Sequence, residues 1–212
     1  MDNEAIIEEE FEDTFEATIE EETSENGEKK MCFRSILSEA DTLNGNRRVY
    51  PKDVLRAVYT EAKERAEKTG KPIFGELEHA KDSHVNLERI AVTFPEFVWN
   101  EEKGQIVGKA VPTLTDAGET VRKLALSGFP IMFSSRMTGK VKPLTEARKK
   151  ELGIITEDKV VEVLPGARLI SIDIVGNPSC KKAVSETVYE EQEPITEEKK
   201  YPTFKQIFDA TL

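Results

Sequence analysis

Along residues 31–180 apolar positions recur with two periods, every second residue in some runs and every third or fourth in others, and this separates strands from helices. Met31–Leu37 reads as a first strand. Leu43-Asn44-Gly45-Asn46-Arg47 reads as a turn, because Gly and Asn tolerate positive φ. A helix is predicted next: Pro51 suits its first turn, Val54, Leu55, Val58, Ala62 and Ala66 form a core-facing stripe, and Gly70 stands where it should end. Strands are predicted at Ile73–Leu77, Leu87–Phe94 and Phe97–Trp99, with Asn100–Gly104 turning the chain into Gln105–Val111. Thr115 or Asp116 caps a second helix whose Val121, Leu124 and Ala125 face inward, and Gly128 closes it ahead of a strand carrying Ser134. Pro143–Glu151 is expected as a short basic surface helix, and Val160–Leu164 and Arg168–Val175 as the last strands. No βαβ rhythm and no internal repeat organise these elements, which argues for an α+β fold with a bent antiparallel sheet or barrel flanked by helices.

The flanks follow another pattern. In residues 1–30, Ile7, Phe11, Phe15 and Ile19 fall on every fourth position, a stripe that a helix would present to a partner, while the acidic composition by itself predicts disorder. Residues 181–200 form a Glu/Lys-rich linker, after which Phe204, Ile207, Phe208 and Leu212 have the spacing of a short amphipathic helix. Three parts are expected: an acidic arm or propeptide at 1–30, a globular domain at 31–180, and a linker with an amphipathic segment at 181–212.

Charge sharpens this division. The net charge of −11 over 212 residues is matched by the arm alone, which holds 13 acidic and two basic side chains. The globular part is near balance, with 23 basic against 21 acidic residues, so no broad basic face for nucleic acid is expected. No run approaches the roughly 20 apolar residues of a membrane span. Cys32 and Cys180 lie far apart, and with only two histidines in the chain there is no recognised ligand spacing. No disulfide framework, metal or cofactor is expected, and the reading is of a soluble protein from a reducing compartment.

Two segments 55 residues apart each deliver a reactive side chain at the end of an apolar run: Gly75-Glu76-Leu77-Glu78-His79 and Ile131-Met132-Phe133-Ser134-Ser135-Arg136. A serine hydroxyl needs a base within hydrogen-bond reach, and usually a third group to orient that base. His79, closing a compact strand, suits the role better than His84 in its polar run. Ser134 and Ser135 compete for the nucleophile, since neighbouring strand residues face opposite ways. Asp173, within the apolar Leu169–Val175, is the preferred third member, because a buried carboxylate needs a partner to offset desolvation. Glu76, Glu78 and Glu96 are alternatives, and pairing of Asp173 with Arg168 or Arg136 is the plainer one.

Asn46-Arg47-Arg48-Val49-Tyr50-Pro51, Gly75-Glu76-Leu77-Glu78-His79, Ser134-Ser135-Arg136 and Asp173-Ile174-Val175-Gly176-Asn177-Pro178-Ser179 together resemble, in order and spacing, the prohead core proteases of tailed phages. The resemblance spans roughly residues 31–180. It implies a relation to the herpesvirus capsid-maturation (assemblin-type) proteases, hence a herpesvirus-protease-like bent antiparallel β-barrel flanked by helices. Carried over by residue, it implies His79 as base and Ser134 as nucleophile, with Asp173 the least direct transfer. Backbone N–H groups near Ser135 and Arg136 would face the oxyanion, and the arginine would add positive charge. Two positions depart from the pattern: Ala80 replaces a common proline after the histidine, and Met137 a common glycine after Ser-Ser-Arg.

The resemblance further implies a serine endopeptidase that cuts scaffold and major capsid precursor proteins after glutamate, with an aliphatic residue two positions earlier, inside the immature prohead in the host cytoplasm. Self-association of subunits is compatible with it. A glutamate pocket needs a cation, for which Arg136, Lys140 and Arg168 are candidates. Leu37-Ser38-Glu39, Leu144-Thr145-Glu146, Ile155-Thr156-Glu157 and Ile195-Thr196-Glu197 match such cleavage sites within this chain, so self-processing of the arm and tail as propeptides is expected. The alternative is a non-enzymatic prohead scaffold or shell component with a protease-like fold.

Overall fold

The structure, a computed structural model, describes residues 5–8, 18–23, 29–79 and 84–176, with side-chain surroundings from residue 31 onward. Its elements run β1 (Ala5–Glu8), β2 (Thr18–Thr23), β3 (Lys29–Glu39), β4 (Arg48–Val49), α1 (Lys52–Thr69), β5 (Phe74–Glu76), β6 (Ile90–Asn100), β7 (Gln105–Pro112), α2 (Asp116–Leu126), β8 (Phe133–Gly139), β9 (Val141–Pro143), α3 (Glu146–Glu151), β10 (Val161–Val163) and β11 (Arg168–Ile174). The fold is α+β. Among the described residues the strands form a five-stranded sheet β2-β3-β7-β6-β5 and two three-stranded sheets, β1-β8-β11 and β4-β10-β9; none closes into a barrel.

Local sequence explains most of these elements. In α1 the buried side chains are Val54, Leu55, Val58 and Ala62, the inward stripe expected of it, and Gly70 ends the helix at φ 66°. Pro51 sits one step before the predicted first turn, at the N-cap. The Thr115 hydroxyl caps α2 by accepting from Gly118 N–H at 3.1 Å. Gly104, at φ 65°, closes the β6–β7 hairpin.

Several expectations are corrected. Leu87–Arg89 is a 3₁₀ turn instead of a strand start, because the Asn86 side chain accepts from Glu88 N–H at 3.0 Å and bends the chain. The two strands expected on either side of Pro95 are one, β6, with a register shift between Thr93 and Glu96 that accommodates the missing proline donor. The helix expected from Pro143 starts only at Glu146, capped by Thr145, after the short strand β9. In the arm, 5–8 and 18–23 are strands and not helix. They pair antiparallel with the exposed edges of β8 and β3, which satisfies backbone donors and acceptors that a lone acidic helix would leave to water. Phe11 and Phe15 of the predicted stripe, Cys180 and the amphipathic C-terminal segment lie outside the described residues.

One core joins the five-stranded sheet to sheet β1-β8-β11. Phe33, Leu37, Leu55, Phe94, Ile106, Met137 and Ile172 are buried together, and Phe94 of β6 meets Phe133 of β8 edge-on at 5.5 Å between ring centroids. The Ser135 hydroxyl of β8 donates to Leu37 O of β3 at 2.9 Å, and Arg65 of α1 donates to Leu169 O of β11 at 2.5 Å. Sheet β1-β8-β11 is therefore tied to both β3 and α1. Among the described residues no helix is long and apolar enough to cross a membrane.

Candidate active site

Strand register does the first part of the assembly. Strands β8 and β11 pair antiparallel, with Asp173 opposite Ser134 and Ser171 opposite Arg136. Residues directly opposite in such a ladder share a face, and alternate residues repeat it, so Ser134, Arg136, Asp173 and Ser171 form one polar patch. Ser135 and Ile172 belong to the other face, toward the core. A register shift between Leu169 and Ser171 sets this phase; a one-residue slip would place an isoleucine opposite Ser134.

The third side chain arrives from outside this ladder. Strand β5 approaches β11 so closely that a Cβ on Gly75 would stand 1.8 Å from Ile172 O, an approach open only to glycine. Beyond it Leu77 forms a parallel bridge with Ile174, and Glu78 N–H donates to Ile174 O at 2.7 Å. Glu78 has φ 65°, a left-handed conformation unusual outside Gly and Asn, and it turns the chain so that His79 comes back over β8 and β11. The Arg89 guanidinium holds this corner by donating to Leu77 O at 2.5 Å and Glu78 O at 2.7 Å, with His79 O at 3.5 Å.

The imidazole then spans both strands. Its Nδ1 lies 2.7 Å from Asp173 Oδ2 and its Nε2 lies 2.7 Å from Ser134 Oγ. An ionised carboxylate only accepts, so Nδ1 carries the proton and Nε2 is left to accept from the serine hydroxyl. Asp173 is fully buried. Its second oxygen accepts from Glu76 N–H at 2.9 Å, and Arg136 Nε stands 3.3 Å from Oδ2. Such donors are what a carboxylate needs once it leaves water. Arg136 also donates to Ser171 Oγ at 3.0 Å and lies 3.3 Å from Glu76 Oε1, which in turn accepts from Asn86 N–H at 2.8 Å.

Of the residues singled out by sequence, the structure brings together His79, Ser134 and Asp173. Ser135 is adjacent, but its hydroxyl is engaged with Leu37 O on the far face. Arg136 is buried behind Asp173, between two protein carboxylates, and away from solvent. His84 is exposed. Glu96 lies on β6, where a hydrogen bond from Arg34 holds its carboxyl below the usual range. Glu76 is part of the site as a support for Arg136 and, through its amide, for Asp173. Arg168 stands opposite Thr138, four residues along β8 from Ser134, and pairs with Glu61 at 3.0 Å. Sequence reasoning missed Arg89, Ser171 and Asn86. It did contain one unused signal, a glycine in the middle of the short run Ile73–Leu77, which marks close backbone approach.

An α+β fold with serine, histidine and aspartate in hydrogen-bonded sequence defines the class of a serine hydrolase by geometry. Comparison with known proteins gives the family: the model of the prohead core protein serine proteases matches residues 7–196, and the chain belongs to that family. No curated protein sequence matches it. Among solved structures it is similar to the bacteriophage T4 capsid assembly protease, gp21, with 18% identity and a TM-score of 0.67, over 84% of this chain and 100% of that one. At that identity the likeness is one of fold. The chain is a serine protease of capsid maturation, the family that its four motifs resemble, and the alternative of a non-enzymatic shell component gives way to it.

Proposed function

We propose that the reaction is acyl transfer at Ser134. The hydroxyl attacks the carbonyl carbon of the scissile peptide bond while His79 Nε2 takes its proton. The tetrahedral intermediate expels the amine, to which His79 returns the proton, and water releases the acyl group by the same route. Asp173 fixes the imidazole tautomer and offsets its positive charge, and Arg136 and Glu76 position Asp173. Backbone N–H groups at Ser135 and Arg136 are the proposed oxyanion donors. The observation that carries this reading is the imidazole within 2.7 Å of both the hydroxyl and the buried carboxylate.

The substrates we infer are scaffold and major capsid precursor proteins inside the immature prohead in the host cytoplasm, cut after glutamate. Family membership supports the substrate class. Arg136 is buried between two carboxylates of this chain, which leaves Lys140 and Arg168, both exposed, as the proposed cations for a substrate glutamate. Residues 1–30 and 181–212 are read as propeptides on the domain at 31–180, removed by self-cleavage. A bent barrel of the herpesvirus-protease kind is the finer fold reading, supported by the contact of β5 with β11 and of β8 with β3 across sheet boundaries.

Turnover of a fluorogenic peptide containing Ile-x-Glu tests the mechanism. Ser134→Ala and His79→Ala are each expected to lower kcat by at least about 10⁴-fold with little change in KM. Equal turnover in all three proteins overturns it. Intact mass after incubating the protein alone tests self-processing, which is wrong if wild type and Ser134→Ala keep the same mass.

A further inference from the structure

Strand β8 has two edges. One is paired with β11, which supplies Asp173; the other is paired with β1, in the register Ala5 to Gly139, Ile6 to Thr138, Ile7 to Met137 and Glu8 to Arg136. Three features of that second pairing bear on Ser134. The arm runs antiparallel to β8, so its carboxyl end advances toward the serine, the polarity of a substrate segment leading up to a scissile bond. Its last paired residue stands opposite Arg136, two positions from Ser134. Its sequence, Ile6-Ile7-Glu8, has the aliphatic-x-glutamate pattern proposed for substrates. Independently, Ser134 has 0% of its surface exposed. A nucleophile with no accessible surface cannot meet a substrate carbonyl, so the present arrangement is closed.

We propose that this outer edge of β8 is the docking site for the substrate strand, and that Ala5–Glu8 occupies it in cis as a substrate-like segment. The inference rests on Ser134 being the nucleophile. An extended peptide added to a sheet edge is held by main-chain hydrogen bonds, which are blind to side chains, so arm and substrate compete for the same amides and carbonyls of β8. Tethering gives the arm an effective concentration on the order of millimolar, which favours it over a dilute peptide but yields to scaffold protein packed at high concentration. The arm thus sets a concentration threshold for cleavage.

The test uses the full chain carrying Ser134→Ala, so that the probe is not consumed, and a fluorescein-labelled Ile-x-Glu peptide. Ile6→Pro with Ile7→Pro removes both amides, whichever one faces β8, and is expected to tighten peptide binding by about three- to thirtyfold. Unchanged affinity in a folded protein overturns the proposal. A second variant works in the opposite direction: Ile6→Cys with Thr138→Cys, in a Cys180→Ser background, joins residues directly opposite each other. When oxidised it should lose peptide binding and regain it on reduction; equal binding in both states is contrary evidence. The mechanism fails separately. Peptide binding that responds to the arm while turnover ignores Ser134→Ala sinks the serine mechanism, whereas arm-independent binding with serine-dependent turnover sinks only the present inference.

Discussion

Two regions supply the candidate site by different physical means. Ser134 and Asp173 stand side by side on a strand pair whose register fixes them, in a face where both are fully buried. His79 follows a three-residue strand by way of the left-handed Glu78, and its side chain keeps 12% exposure. The platform is held by the β8–β11 ladder and by core side chains on its reverse. The corner depends on one glycine, one strained backbone angle and one arginine. A ladder distributes the positioning over many bonds and the corner concentrates it in few.

The largest expected effect tests the platform. Asp173→Asn keeps the volume but presents an amide donor or a weaker acceptor to Nδ1, so the imidazole settles in the tautomer whose Nε2 bears the proton and cannot accept from Ser134. A fall in kcat of about 10⁴-fold at nearly unchanged KM is expected from steady-state kinetics. A fall below tenfold would remove Asp173 from the mechanism.

Next is the junction of the two regions. Gly75→Ala places a methyl 1.8 Å from Ile172 O, where backbone must move, so β5 separates from β11 and Glu76 N–H leaves Asp173. Overpacking of this kind costs about 1–3 kcal/mol or more, and a shift of about 1 Å at the imidazole removes about 10²-fold in rate. Denaturant melts and kcat should fall together. Loss of activity without loss of stability would mean that Gly75 serves the corner and not the sheet.

Arg89→Ala addresses the corner alone. It releases the carbonyls of Leu77 and Glu78 while leaving the ladder intact, so stability should change by about 1 kcal/mol and kcat by about ten- to hundredfold. Arg89→Lys restores a charge without the fork and should recover little. Recovery to wild-type turnover by lysine would show that charge, not the tether, is what Arg89 contributes.

This contrast also explains what was legible before the coordinates. Asp173 could be read because a buried aspartate within the apolar Leu169–Val175 demands a partner, whereas alternation puts Ser134 and Ser135 on opposite faces without saying which face meets His79. Apolar spacing and capping residues located α1 and α2. The register shift at Ile170 had no local signature, so the direct opposition of Asp173 and Ser134 was out of reach. Leu87–Phe94, with its apolar ends, reads as a strand through Arg89, but the Asn86 cap that makes Leu87–Arg89 a turn competes locally with strand pairing. In the arm, an every-fourth apolar spacing suggested a helix, but nonlocal sheet edges at β8 and β3 decide the outcome, and these appear only once the sheets are built.

The smallest expected effect probes whether the corner's strain has a use. Glu78 sits at φ 65°, where a side chain costs on the order of 1 kcal/mol that glycine avoids, although glycine also loses more entropy on folding. Glu78→Gly should therefore leave thermal stability within about 1 kcal/mol of wild type. If glutamate only endures the angle, turnover will also be unchanged. If the angle is needed to press His79 against Asp173, the freer glycine lets the imidazole sample other positions, and kcat should fall by a few fold while KM holds. Kinetics of Glu78→Gly beside Glu78→Asn, which tolerates the same φ with a side chain in place, separates the two. A deficit shared by both variants would point instead to the Glu78 carboxylate, which approaches Gly176, two residues beyond the end of the strand that carries Asp173.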